Sequence, residues 1–307
     1  MKKPSVHFIS LGCSKNLVDS EKLMKQFSAS GFKVFFDTKA DVAPIVVINT
    51  CGFIGDAKQE SIDMILSYCD LKEQGIIKEI YVMGCLSERY RKELQEEIPE
   101  VDGYYGKFDH NLLLEKLNKK YNSALCNERV LTTPDHYAYL KIAEGCNRAC
   151  SYCAIPIITG PYKSRSIEDI EDEVKYLVST GVKEFQVIAQ DLSFYGLDNY
   201  KRLALPELIK RLSDIKGVEW LRLHYAYPTQ FPYDKKVKTR TPELRFFQDL
   251  TQHTPGNWVK EQGWGRELAS SATRLQDDLG LSKSPSLKWA GRSMTFPEAP
   301  SECQAAQ

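Results

Sequence analysis

The sequence predicts an α/β chain built as an N-terminal doubly wound parallel sheet domain, a partial (β/α) barrel and an irregular C-terminal tail. Three observations carry that prediction. Short apolar runs rich in β-branched residues alternate with helix-length segments, a Gly or Pro closes most of the helices, and the composition changes abruptly near residue 235.

Val6-His7-Phe8-Ile9-Ser10-Leu11, Pro44-Ile45-Val46-Val47-Ile48-Asn49 and Glu79-Ile80-Tyr81-Val82-Met83 each lead into a helix-length segment, and so read as buried parallel strands. Lys33-Val34-Phe35-Phe36 adds a further strand. The helices are expected from Leu17 to Ser30, Asp56 to Glu73 and Glu88 to Glu97, stopped by Gly31, Gly75 and Pro99. This first domain spans residues 1–134.

A second series spans residues 137–234. Tyr139 to Ala143 is expected to be a strand that delivers a cysteine-rich loop, and Ser166 with Asp169 forms a capping pattern before a helix reaching about Thr180. Phe185 to Ala189 reads as the next strand, Leu205 to Ile215 as a helix and Val218 to Leu223 as a third strand. Repeated β-α units of this kind suggest a barrel whose site lies at the strands' C-terminal ends. After residue 234 all sixteen tyrosines and every isoleucine have been used, and neither strand nor helix periodicity persists. Residues 235–307 are therefore expected to be an atypical tail, disordered or read out of frame, that leaves the barrel incomplete.

Lys plus Arg and Asp plus Glu both number 41, so the overall field gives no reason to expect direct nucleic-acid binding or attraction to acidic membranes. No apolar run is long enough to span a membrane. The nine cysteines are odd in number and cluster at strand ends and in one loop, unlike a disulfide framework. The N-terminal apolar stretch is short for a signal h-region and is followed at once by Lys15, so it is not expected to act as a signal sequence. A cytoplasmic, reducing location is expected.

Cys146, Cys150 and Cys153 stand at the spacing Cys-x3-Cys-x2-Cys. Three thiolates so placed can hold three irons of a cubane cluster and leave the fourth open to a small molecule. The competing readings are a zinc site, which lacks a nearby fourth ligand, or cysteines that merely fill space. Cys13, Cys51 and Cys85 each follow one of the three buried strands, so their thiols should meet at the sheet edge where α/β folds bind ligands. Buried cysteine is common, and three in one structural position are needed to favour a joint metal site. Asn16, Asn49 and Thr50 flank this set, either as donors to cluster sulfurs or as turn formers. Gln190 and Asp191 end the second barrel strand, either within reach of a bound ligand or as a simple loop start, and Arg165 is either a planar fork for a carboxylate or an ordinary exposed arginine at a helix start. Cys69, Cys126 and Cys303 receive no role.

The loop cysteines match the radical S-adenosylmethionine signature, and the strand-end cysteines resemble those of its methylthiotransferase branch. Gly12-Cys13-Ser14-Lys15-Asn16-Leu17-Val18-Asp19-Ser20-Glu21, Asn49-Thr50-Cys51-Gly52-Phe53-Ile54 and Ala189-Gln190-Asp191-Leu192 are similar to the RimO type within that branch. The resemblance covers residues 1 to about 234 and implies a radical S-adenosylmethionine domain around a 4Fe-4S cluster on Cys146, Cys150 and Cys153. It also implies S-adenosyl-L-methionine as cofactor and a second 4Fe-4S cluster on Cys13, Cys51 and Cys85 that carries the sulfur. The implied reaction adds a methylthio group to the β-carbon of an aspartate in small-subunit ribosomal protein S-twelve, with electrons from a donor such as flavodoxin or ferredoxin. A tRNA methylthiotransferase and a non-catalytic iron-sulfur fragment are the alternatives.

Overall fold

The computed structural model describes residues 3–37, 43–148, 150–151 and 153–226, together with the backbone of two short strands at 286–289 and 292–295. Its first half is a parallel sheet of β1 (Ser5–Ser10), β2 (Lys33–Phe36), β3 (Ile45–Thr50), β4 (Glu79–Gly84) and β5 (Gly103–Tyr104). The spatial order is β2-β1-β3-β4-β5, so the three strands that lead to cysteines lie side by side at its centre. Helices α1 (Ser14–Ala29) and α4 (His110–Lys116) cover one face, while α2 (Gly55–Glu73) and α3 (Cys85–Glu97) cover the other.

The two-residue period of the strands explains both layers. Val46 and Ile48 of β3 join Ile62, Ile65 and Leu66 of α2, whereas Val47 points to Leu23, Met24 and Phe27 of α1. Phe27 is fully buried and meets Phe8 edge to face, with ring centroids 5.2 Å apart. The doubly wound reading therefore holds. The element starts and ends differ by a few residues; α1 begins earlier than expected because Cys13, in extended backbone, already serves as its N-cap. The short β5 and α4 escaped the sequence reading because a two-residue strand carries no detectable period.

The second half forms a three-stranded parallel sheet in the order β10-β9-β6, made from β6 (Tyr137–Lys141), β9 (Glu184–Ile188) and β10 (Trp220–Leu223). Helices α6 (Ile167–Ser179) and α7 (Leu205–Ser213) connect these strands and pack against them through Ile170, Val174, Leu177, Leu208 and Leu212. Ser166 caps α6 as expected, its hydroxyl accepting from the Asp169 amide at 3.2 Å. The strand expected over Tyr139 to Ala143 is broken in two. β7 (Ala143–Glu144) leaves the sheet and pairs antiparallel with β8 (Lys163–Ser164), while α5 (Ile155–Thr159) lies in the loop between them. The region expected to be a tail lies outside the described residues, save that β11 (Ser286–Trp289) and β12 (Arg292–Thr295) form an antiparallel pair.

Candidate functional site between two cysteine sets

Cys13 follows β1 and N-caps α1, Cys51 follows β3, and Cys85 opens α3 directly after β4. The sheet order thus gathers the three at one edge, with Cys13 and Cys51 flanking the point where the winding reverses. Two glycines make the approach close. Gly12 adopts φ +87°, and a β-carbon there would sit 2.6 Å from Cys51 Cβ and 2.9 Å from its Sγ. Gly84, at φ +99°, would place one 2.2 Å from Asn49 Oδ1 and 2.6 Å from the Thr50 carbonyl.

Asn16 ties the three strand ends together. Its Nδ2 donates to the carbonyls of Leu11 at 3.3 Å and Thr50 at 3.0 Å, and its Oδ1 accepts from the Cys85 thiol at 3.4 Å. Asn49 donates to the Asn16 carbonyl and to Ser20, and the Thr50 hydroxyl donates to the Met83 carbonyl at 2.6 Å. The donors of Asn16, Asn49 and Thr50 are thus spent on holding the sheet edge. Burial raises the Cys51 thiol and pushes Cys85 up to about 12. A bound cation reverses that preference and favours the thiolates.

The second set lies in the loop between β7 and β8. The Cys146 amide donates to the Gly160 carbonyl at 3.1 Å, the Cys153 amide donates to the Cys150 carbonyl at 3.0 Å, and Asn147 Oδ1 accepts from the Tyr162 amide. Arg148, which the sequence reading passed over, clamps the loop to the end of β9. Its amide points at Cys146 Sγ at 3.4 Å, while its Nε meets Asp191 Oδ2 at 2.5 Å and its guanidinium lies 4.5 Å from the Phe194 ring centre. Asp191, 3 % exposed, also accepts from the amide and hydroxyl of Ser193. Gln190 is partly exposed at the same strand end. Arg165 is occupied by carboxylates of the chain itself, with Nε 2.6 Å from Asp169 and Nη1 2.6 Å from Glu173.

The two sets lie on adjoining elements, because α5, just past Cys153, packs against α3, which starts at Cys85. Buried charges line the adjoining seam. Asp19 of α1 pairs with Lys107 at 2.8 Å and with Lys141 at the end of β6, and Lys141 also pairs with Glu144. Burial would raise the Asp19 carboxyl, but the two ammoniums hold it well below the usual range. Beside it, Lys22, Arg129 and Arg165 share Glu21, Asp169 and Glu173. The signal missed in the sequence was Lys141 between Leu140 and Ile142, a charge inside an apolar strand.

All eight cysteines among the described residues are free thiols. No three His, Cys, Asp or Glu side chains among those residues converge on one point as the ligands of a single ion must. A cubane asks for something else, with each thiolate on a different iron. Reduced thiols at adjoining strand ends, two of them at helix N-termini that favour negative charge, fit that donor set.

Residues 5–106 match the uncharacterized protein family UPF0004, and residues 140–246 match the radical SAM superfamily. The first half of the chain thus matches UPF0004 and the second half the radical SAM superfamily. Ribosomal protein uS12 methylthiotransferase RimO of Phocaeicola vulgatus is 64% identical over 263 residues, 85% of this chain and 61% of that protein. Its counterpart in Porphyromonas gingivalis is 61% identical over 255 residues, 82% of this chain and 59% of that protein. Among solved structures, the cobalamin-dependent S-adenosylmethionine radical enzyme OxsB in its apo form gives a TM-score of 0.49 at 11% identity, covering 71% of this chain and 38% of that one. Over most of its length the chain is thus similar to proteins of the RimO type, and it spans about 61% of the length of the first of these relatives. The radical SAM match continues past residue 234, where the sequence reading ended the barrel.

Proposed function

We propose that the chain acts as a radical S-adenosylmethionine methylthiotransferase on the β-carbon of an aspartate in small-subunit ribosomal protein S-twelve. The observation that carries this reading is that α5, just past Cys153, packs against α3, which starts at Cys85, so that elements bearing the two three-thiol sets adjoin. Cys146, Cys150 and Cys153 would hold one 4Fe-4S cluster, and Cys13, Cys51 and Cys85 a second. With S-adenosyl-L-methionine bound beside the cluster on Cys146, Cys150 and Cys153, the site would supply radical chemistry able to act on a carbon that no protein base could deprotonate.

The chain's own residues contribute placement. Asn16 fixes the edge that presents the first set, and Arg148 fixes the loop that presents the second. Gln190 would meet the cofactor's polar groups from the end of β9. Asp191 and Arg165 would serve the same pocket from behind, one by orienting Arg148 and the other by locking α6 to the β6 end through Asp169 and the Lys141 carbonyl. Electrons would come from a donor such as flavodoxin or ferredoxin, and the reaction on a ribosomal substrate would run in the cytoplasm.

The test is anaerobic reconstitution, with iron and sulfide counted, followed by reductant, S-adenosylmethionine and S-twelve. Two clusters, 5′-deoxyadenosine and a methylthio mass increment on the aspartate are expected. Zinc without sulfide would sink the reading. One second reading has its own support: β10 is a sheet edge among the described residues, and a half barrel suits a cluster-binding fragment. That reading predicts two clusters with no 5′-deoxyadenosine.

A further inference from the structure

Lys15 stands directly after the Cys13 turn, in the first turn of α1, and is 4 % exposed. Burial of an ammonium demands a partner. Among the described residues Lys15 makes neither a hydrogen bond nor an ion pair; its Nζ lies 3.7 Å from the ring centre of Tyr225. A ring face attracts a cation but leaves its N–H donors unspent.

The neighbouring charges explain why no partner is left over. Lys15 lies within electrostatic range of Lys107, Lys141, Glu144 and the Cys13 thiol. Asp19 and Glu144 are the carboxylates here, and both are already engaged by Lys107 and Lys141. Among the described residues three ammoniums thus face two carboxylates, and Lys15 carries the surplus charge. The adjoining group of Lys22, Arg129 and Arg165 is matched one for one by Glu21, Asp169 and Glu173, so it offers no spare anion.

The position is also suited to an incoming anion. No acidic residue occupies the first turn of α1 and no side chain caps its amides, so the positive end of the helix dipole adds to the ammonium. Tyr225 comes from the C-terminal end of β10, at the edge of the second half, and holds a left-handed backbone at φ +66°. Its carbonyl accepts from the Leu192 amide at 3.0 Å, which fixes it beside the loop that carries Asp191. Lys15 therefore sits between the first cysteine set and the strand ends of the second half.

We propose that Lys15, backed by Tyr225, is the seat for the side-chain carboxylate of the substrate aspartate. This rests on the methylthiotransferase reading and deepens it, by assigning the group that distinguishes aspartate from its neutral isostere. Held there, the carboxylate would leave the adjacent β-carbon in the space between the two cysteine sets.

The test reads the chemistry of Lys15 itself. The chain, with and without reconstituted clusters, is treated with an amine-acylating reagent, and the rate of Lys15 modification is followed by mass spectrometry. The additions are a short peptide bearing one aspartate, the same peptide with asparagine, or S-adenosylmethionine alone. The aspartyl peptide should slow acylation of Lys15 severalfold while the other two leave it unchanged. In equilibrium binding the unmodified chain should prefer the aspartyl peptide by roughly tenfold. Lys15→Arg should keep that preference and Lys15→Gln should reduce it to parity, with circular dichroism confirming that each variant is folded. Equal protection by both peptides, no protection by either, or protection by S-adenosylmethionine or by cluster loading alone would overturn the proposal. Failure of 5′-deoxyadenosine formation with Lys15 protection intact would instead count against the methylthiotransferase reading.

Discussion

Glu173 shows what a single buried side chain contributes here. It is fully buried on α6, and burial alone would raise its carboxyl, yet Arg165, Arg129 and Lys22 outweigh that and hold it at about 2. A folded-state value below the ordinary 4.5 means that its contribution is whole above that pH and is lost as the pH falls toward 2. Glu21 works in the opposite sense, since burial raises it. Comparison with a Glu173→Gln variant isolates the first term: urea denaturation should show a loss of about 3 kcal/mol or more at pH 7. The difference between the two proteins should shrink steadily below pH 4.5; a difference independent of pH would refute the assignment. None of this was legible in the sequence. Glu173 lies in a run of acidic residues in which Glu168 and Asp172 are exposed and Asp169 and Glu171 half-buried, and only packing singles it out.

At the scale of elements the sequence was far more explicit. β-branched runs pointed to β1, β3 and β4 because buried parallel strands must be apolar on both sides, and turn glycines marked the ends of the first two helices. The capping pattern at Ser166 was real, and replacing that residue with Ala should lower stability by about 1 kcal/mol through the lost bond to the Asp169 amide. Equilibrium denaturation checks this, and an unchanged midpoint would mean that water satisfies the amide equally well. That Cys13, Cys51 and Cys85 stand at one sheet edge was legible because parallel strands place their C-terminal ends on one edge whatever their order. Their being immediate neighbours depends on the order β1-β3-β4, which no periodicity encodes. The loop helix α5 and the β7-β8 pair were illegible for a plainer reason: segments this short carry less signal than their tertiary contacts.

Across the whole molecule the two halves are joined by buried charge as well as by chain. Asp19 is the shared counter-ion of Lys107 on its own half and Lys141 on the other, so removing its charge leaves two ammoniums buried with less to balance them. Asp19→Asn should therefore cost about 3–5 kcal/mol and uncouple the halves. Hydrogen exchange reads this directly: amides of β3 and β9 should open together in the unmodified chain and separately in the variant. Protection lost in step in both proteins would show that the seam is held by other contacts. The linker adds a further tie, since Glu21 accepts from the amide and hydroxyl of Thr132, and its own carbonyl accepts from the Val130 amide at 3.2 Å. This architecture sets an order of events during synthesis. Asp19 and Glu21 leave the ribosome long before Arg129, Thr132 and Lys141, and Glu21 meets Arg129 only once that later stretch has been made. The first helix must wait, its two carboxylates wet, until the chain that will cover them arrives.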